Sequence, residues 1–170
     1  MHRRVIELVV LVLVLAAGAG SLAVRAGAAP NAPAVPAEAR VQARAFLKEI
    51  GGSDLVFFPT RLPTRYAYQS YSVTGAPLGL DLAFIDPHYT SNATKIHKHE
   101  ITFDVGYQGK APCSSGSHGV FRVGGLRLFR TNTMVWRCVQ SAGGKKVKES
   151  ATGNVGAAKL AVLVASARPG

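Results

Sequence analysis

Two histidines one residue apart, His97 and His99, are the residues whose type and spacing most invite chemistry in this 170-residue chain. From His97 to Val105 polar and apolar residues alternate with the period of a strand, and on a strand residues i and i+2 share a face. Both imidazoles then point the same way, and His88 or His118 from neighbouring loops could complete three ligands of a zinc or copper site. The plainer reading makes them half-buried histidines at a sheet rim, beside Ile101, Phe103 and Val105. Glu100 faces the other way, so even a bound metal would lack a carboxylate as general base, which argues against a hydrolase. Ser117 next to His118 is adjacency without the geometry of nucleophile and base, and there is no G-x-S-x-G elbow. No Walker loop or dinucleotide fingerprint is present. The chain therefore reads as a non-enzyme with no catalytic residue, the metal-binding protein or metalloenzyme on His97 and His99 standing as the alternative.

The elements that must position these residues are mostly strands. Ala37 to Glu49 are good helix formers, entered through Pro36 and stopped by Gly51-Gly52, with Val41, Ala45 and Lys48 on one side and Phe46, Leu47 and Ile50 near the other. Beyond them the period changes. Tyr66 to Val73 is rich in strand formers, and Leu78, Leu80, Leu82 and Phe84 fall on one face of the next strand. A Gly/Ser-rich loop, 109–119, leads to Val120 to Val123, Gly124-Gly125 and Leu126 to Arg130, which read as a hairpin with a two-residue turn. Met134 to Gln140 is another strand, Lys145 to Gly156 reads as irregular, and Lys159 to Ala167 as a closing apolar strand. The fold class is mainly β with one N-terminal helix (α+β): an antiparallel meander, as a curved sheet or a small sandwich.

The N-terminus has the grammar of an export signal. Met1-His2-Arg3-Arg4 is basic, Leu8 to Val24 carry no charge, and Ala26-Gly27-Ala28 forms an A-x-A site. We expect a signal peptide over 1–28 cut after Ala28, with a retained N-terminal membrane anchor as the alternative. An Ala/Pro linker follows over 29–36, then the helix over 37–50 and a single β-rich domain over 53–170. The first cysteine is Cys113, too far from the cut site for a lipoprotein. In an exported protein Cys113 and Cys138 are expected to form a disulfide. Asn92-Ala93-Thr94 is a glycosylation sequon in a eukaryotic source only.

Export also sharpens the charge. The whole chain is +11; residues 29–170 keep seventeen basic and eight acidic residues, a net +9. Residues 29–104 are balanced, seven against seven, whereas 105–170 hold ten basic residues and one acid, Glu149. If Gly124-Gly125 is the turn, Arg122 pairs with Arg127 across the hairpin while Phe121, Val123, Leu126 and Leu128 share the other face. A like-charge cross-strand pair is destabilising unless something shields it. Arg137 could join from the next strand, and Lys145, Lys146 and Lys148 lie one turn away. Together these form a candidate anion-binding face, suited to an anionic envelope polymer or membrane surface; a protein partner is the other possibility. Nucleic acid is not expected, since export removes the usual partner and no stacking module is recognisable.

The run Phe58-Pro59-Thr60-Arg61-Leu62-Pro63-Thr64-Arg65-Tyr66 resembles the opening of small bacterial extracytoplasmic β-rich domains of unknown function. Such domains occur on anti-sigma factors and envelope proteins and often begin P-x-x-L-P-x-x-Y before a β-meander. Val123-Gly124-Gly125 and Val135-Trp136-Arg137 fit the same pattern, and the likeness spans about residues 55 to 167. It implies a non-catalytic envelope domain and assigns no site residue.

Overall fold

The computed structural model describes residues 34–89 and 99–170. The export signal over 1–28, most of the Ala/Pro stretch, Asn92-Ala93-Thr94 and His97 lie outside the described residues. Helix α1 (Ala37–Glu49) comes first, then the strands β1 (Phe57–Phe58), β2 (Ala67–Gly75), β3 (Leu78–Ile85) and β4 (Glu100–Tyr107). They are followed by β5 (Gly119–Val123), β6 (Leu126–Arg130), β7 (Met134–Gln140), β8 (Lys146–Gly153), a second helix α2 (Ala157–Ser166) and β9 (Arg168–Pro169).

Strands β2 to β8 form one antiparallel sheet in the order β2-β3-β4-β8-β7-β6-β5. It is therefore a meander interrupted once. After β4 the chain crosses to the far edge, returns strand by strand, and closes by pairing β8 with β4. Of the two packings expected, the helix-covered sheet is the one present. Leu80, Leu82 and Phe84 of β3, Ile101, Phe103 and Val105 of β4, and Val147 and Ala151 of β8 share one core with Leu47 of α1 and Leu160, Leu163 and Val164 of α2. We call this side inner and its opposite outer.

Three expectations need correction. The stretch 145–156 holds the central strand β8 rather than irregular chain; its inner face carries Val147, Glu149 and Ala151, and the buried acid hides the alternation. The apolar run expected as a strand over 159–167 is helix α2, whose buried residues Leu160, Ala161, Leu163 and Val164 follow helical spacing. Its alanines favour a helix, and a short all-apolar run cannot be assigned by period alone. Helix α1 has the expected limits, but it packs through Ala43 and Leu47, one turn apart and fully buried, and leaves Val41 and Phe46 exposed. The end of the Ala/Pro stretch is packed as well, with Val35 in the core.

The Pro59 to Leu62 segment is tied to the end of α2. The Thr60 and Arg61 amides both donate to the Ser166 hydroxyl, at 3.2 and 3.1 Å, and the Thr60 hydroxyl donates to the Ser166 carbonyl at 2.9 Å. Phe57 and Phe58 pair with Pro169 and Arg168 beside this tie.

Candidate binding face

The hairpin has the register that its Gly-Gly turn demands. Val123 pairs with Leu126, Arg122 with Arg127 and Phe121 with Leu128, and both turn glycines take positive φ, 54° and 82°. Leu128 is fully buried on the inner side, so Arg122 and Arg127 project from the outer face. On β8 the same parity sends Val147 inward and Lys146 and Lys148 outward. Among the described residues Arg122 and Lys146 form no ion pair.

Between these cations lies a roofed aromatic pair. Phe129 and Trp136 are cross-strand partners on the outer face, their rings stacked with centroids 5.9 Å apart. Arg127 stands over the Phe129 ring at 5.1 Å and Lys148 over the Trp136 ring at 5.0 Å, favourable placements for a cation on a π face. The loop between β4 and β5 folds across this patch. Cys113 is joined to Cys138 by a disulfide, and the Trp136 indole N–H donates to the Cys113 carbonyl at 2.7 Å, leaving Trp136 only 3% exposed. The tryptophan is thus a strut for the face and no stacking platform.

Two of the six expected anion-binding residues lie elsewhere. Arg137 is buried on the inner side, because its neighbour Trp136 takes the outward position. Its Nε donates to Glu149 at 2.8 Å and its Nη2 to the Ala167 carbonyl at 2.9 Å, which pins the end of α2. Burial pushes the Glu149 carboxyl up and Arg137 pulls it back down, with the net shift upward; its Oε1 has no hydrogen-bond partner. Lys145, on the β7–β8 turn, donates to the Tyr107 hydroxyl at 3.2 Å and pairs with Asp54 at 3.2 Å, contacts that raise its pKa. Arg122, Arg127, Lys146 and Lys148 remain as the open basic face.

Sequence reasoning missed what stands beside them. Asp81 and Asp104 are direct partners across β3 and β4, in a row that continues through Ser150 and Trp136. Burial and a hydrogen bond shared with Asp81 push the Asp104 carboxyl up to about 7, against smaller opposing effects of Ser150 and Lys148. Ser72 and Ser150 flank the pair at 3.4 and 3.5 Å. Only part of the signal was in the sequence: alternation sets Asp81 and Asp104 on the face opposite the core residues of their strands, while the register that makes them partners spans a long connection.

Among the described residues the histidines do not converge, His97 lying outside them. The His88 Nδ1 lies 2.9 Å from Asp86, and the His99 ring stacks on Tyr89 with centroids 3.5 Å apart. Burial pushes the Asp86 carboxyl up, but hydrogen bonds from the His88 amide and ring, with Arg65 nearby, bring it below its ordinary value. His118 precedes β5, four strands from β4 and so roughly 19 Å away at ~4.8 Å per strand. Among the described residues no group of three or more histidine, cysteine or acidic side chains is placed to hold a metal ion. The Ser117 hydroxyl donates to the Gly119 carbonyl at 2.7 Å, a local turn contact. Also among the described residues, no helix is long and apolar enough to cross a membrane. No protein-family model, curated protein or solved structure matches the chain.

Proposed function

We propose that this is an exported, non-catalytic domain of the bacterial envelope that binds an anionic polymer through the outer face of β5 to β8. One observation carries the reading: Arg122, Arg127, Lys146 and Lys148 come from three strands to the face that no described helix covers. The sheet tolerates the Arg122–Arg127 like-charge pair although nearby acids are used elsewhere, Glu149 beneath the sheet and Asp54 on Lys145. A polyanion laid across the strands would shield that pair. The basic start, apolar run and A-x-A site of residues 1–28 support export, with cleavage after Ala28 or retention as an anchor.

Retention on immobilised heparin, a soluble polyanion surrogate, tests the reading alongside flotation with vesicles containing anionic phospholipid. Salt-dependent heparin retention that falls when Arg122→Glu and Arg127→Glu are combined supports polymer binding. Vesicle binding without heparin retention would replace the polymer with a membrane surface, and retention unchanged in the double variant would dismiss the face.

A further inference from the structure

A second concentration of positive charge lies on the other side of the molecule, independent of the outer face. Arg40 and Arg44 stand one turn apart on α1, and Arg168 comes from β9. Arg40 and Arg168 line a cavity of about 110 Å³ between the start of α1 and the β1–β9 ladder, closed by Val35, Phe58, Thr60 and Gly170. The Arg44 guanidinium lies 5.9 Å over the Phe58 ring, and its Nη2 is 3.1 Å from where a Cβ on Gly170 would stand, so it edges the same space.

These arginines are short of partners. Among the described residues the buried Nε atoms of Arg40 and Arg44 have no hydrogen-bond acceptor and none of the three arginines forms an ion pair. Arg168 donates from Nη1 to the Ala165 and Ala167 carbonyls, at 3.1 and 2.7 Å, which fixes its fork beside the cavity. Glu149 senses the charge of Arg168 but is held by Arg137. A buried donor with no acceptor is costly, and like charges one turn apart on a helix repel. Guanidinium forks match the oxygens of tetrahedral oxyanions and carboxylates, and an anion between them would relieve both penalties.

We propose that this cavity is a binding site for a small tetrahedral oxyanion, with inorganic phosphate as its representative ligand. The guanidinium forks set the class and the size allows it: at roughly 10–15 Å³ of such space per water, the cavity admits one oxyanion with a few waters.

The test is a titration of the full chain with inorganic phosphate at constant ionic strength, chloride making up the balance. Binding is followed by calorimetry and by the ¹⁵N–¹H resonances of the arginine Nε groups. The expected result is a saturable shift of the Arg40 and Arg44 Nε–H signals, with affinity reduced at least tenfold in Arg40→Gln and in Arg44→Gln. Arg40→Lys keeps the charge but loses the fork and should also bind several-fold more weakly, whereas Arg122→Gln should stay within twofold of the unsubstituted protein. Should Arg40→Gln fail to fold, the Nε–H signals of the unsubstituted protein still decide. Signals that move no further in phosphate than in chloride, or phosphate affinity unchanged in Arg40→Gln, would overturn the proposal.

Discussion

Asp104 and Glu149 stand on neighbouring strands one residue out of register, and the sheet sends them to opposite faces. Burial raises the pKa of both, yet their surroundings differ. Glu149 lies under α2, where water is excluded, and is held by a guanidinium that also pins the helix end. Asp104 lies on the face that no described helix covers and is set against a second carboxylate, with Lys148 on the adjoining strand β8 and the other cations further along the same face. On the inner face of the sheet the charge of Glu149 is matched by Arg137, as desolvation requires. The outer side keeps acids together on β3 and β4 and bases together on β5 to β8. That segregation leaves like charges side by side within the sheet.

The largest expected effect comes from breaking the inner match. Arg137→Met leaves Glu149 buried and uncompensated, and should cost about 3–5 kcal/mol in denaturant unfolding. Adding Glu149→Leu should restore most of that loss. A cost below about 1 kcal/mol for Arg137→Met would mean that the inner pair does not constrain the fold.

Next comes the tie across the outer face. Cys113→Ala with Cys138→Ala opens a loop spanning a sequence separation of 25, worth about 3–4 kcal/mol on the chain-entropy estimate. It should also release the loop over Trp136 and shift its fluorescence to longer wavelength. An unshifted spectrum would show that the roof does not need the disulfide.

A pH-dependent effect, spread over several pH units, separates the two carboxylates. Because the folded-state pKa of Asp104 is raised from 3.8 to about 7, the folded chain holds a proton that the unfolded chain releases between those values. Stability from this group is complete below about pH 4 and is lost as pH rises through about 7, with a slope of at most ~1.4 kcal/mol per pH unit. Asp104→Asn should flatten that window. Glu149 is shifted in the same direction and contributes to any slope left in the variant. An unchanged profile would place the titration elsewhere.

How much of this was readable beforehand depended on whether local chemistry settled the matter. Gly124-Gly125 fixes its own hairpin, so the Arg122–Arg127 pairing followed from counting, and the limits of α1 followed from Pro36 and Gly51-Gly52. The strand β8 did not announce itself, because one of its three inward residues is an acid whose partner is twelve positions away. Helix α2 was hidden by an apolar run that suits either state. Arg137 was misplaced with the surface cations because its charge was weighed and its parity with Trp136 was not. The three arginines around the cavity were invisible as a group, since Arg168 is brought to α1 only by the β1–β9 ladder.

The smallest effect on stability should accompany the largest effect on binding. Arg122→Glu with Arg127→Glu changes two exposed residues, gives up the Arg127 contact with Phe129, and should move stability by no more than about 1 kcal/mol. Its salt elution from heparin is best compared with that of Arg61→Glu with Lys159→Glu, an equal change of net charge at exposed positions off the outer face. If the outer face binds the polyanion, the hairpin variant elutes at markedly lower salt than this control, which stays close to the unsubstituted protein. Equal elution of the two variants would reduce the outer face to net charge alone and contradict a dedicated surface.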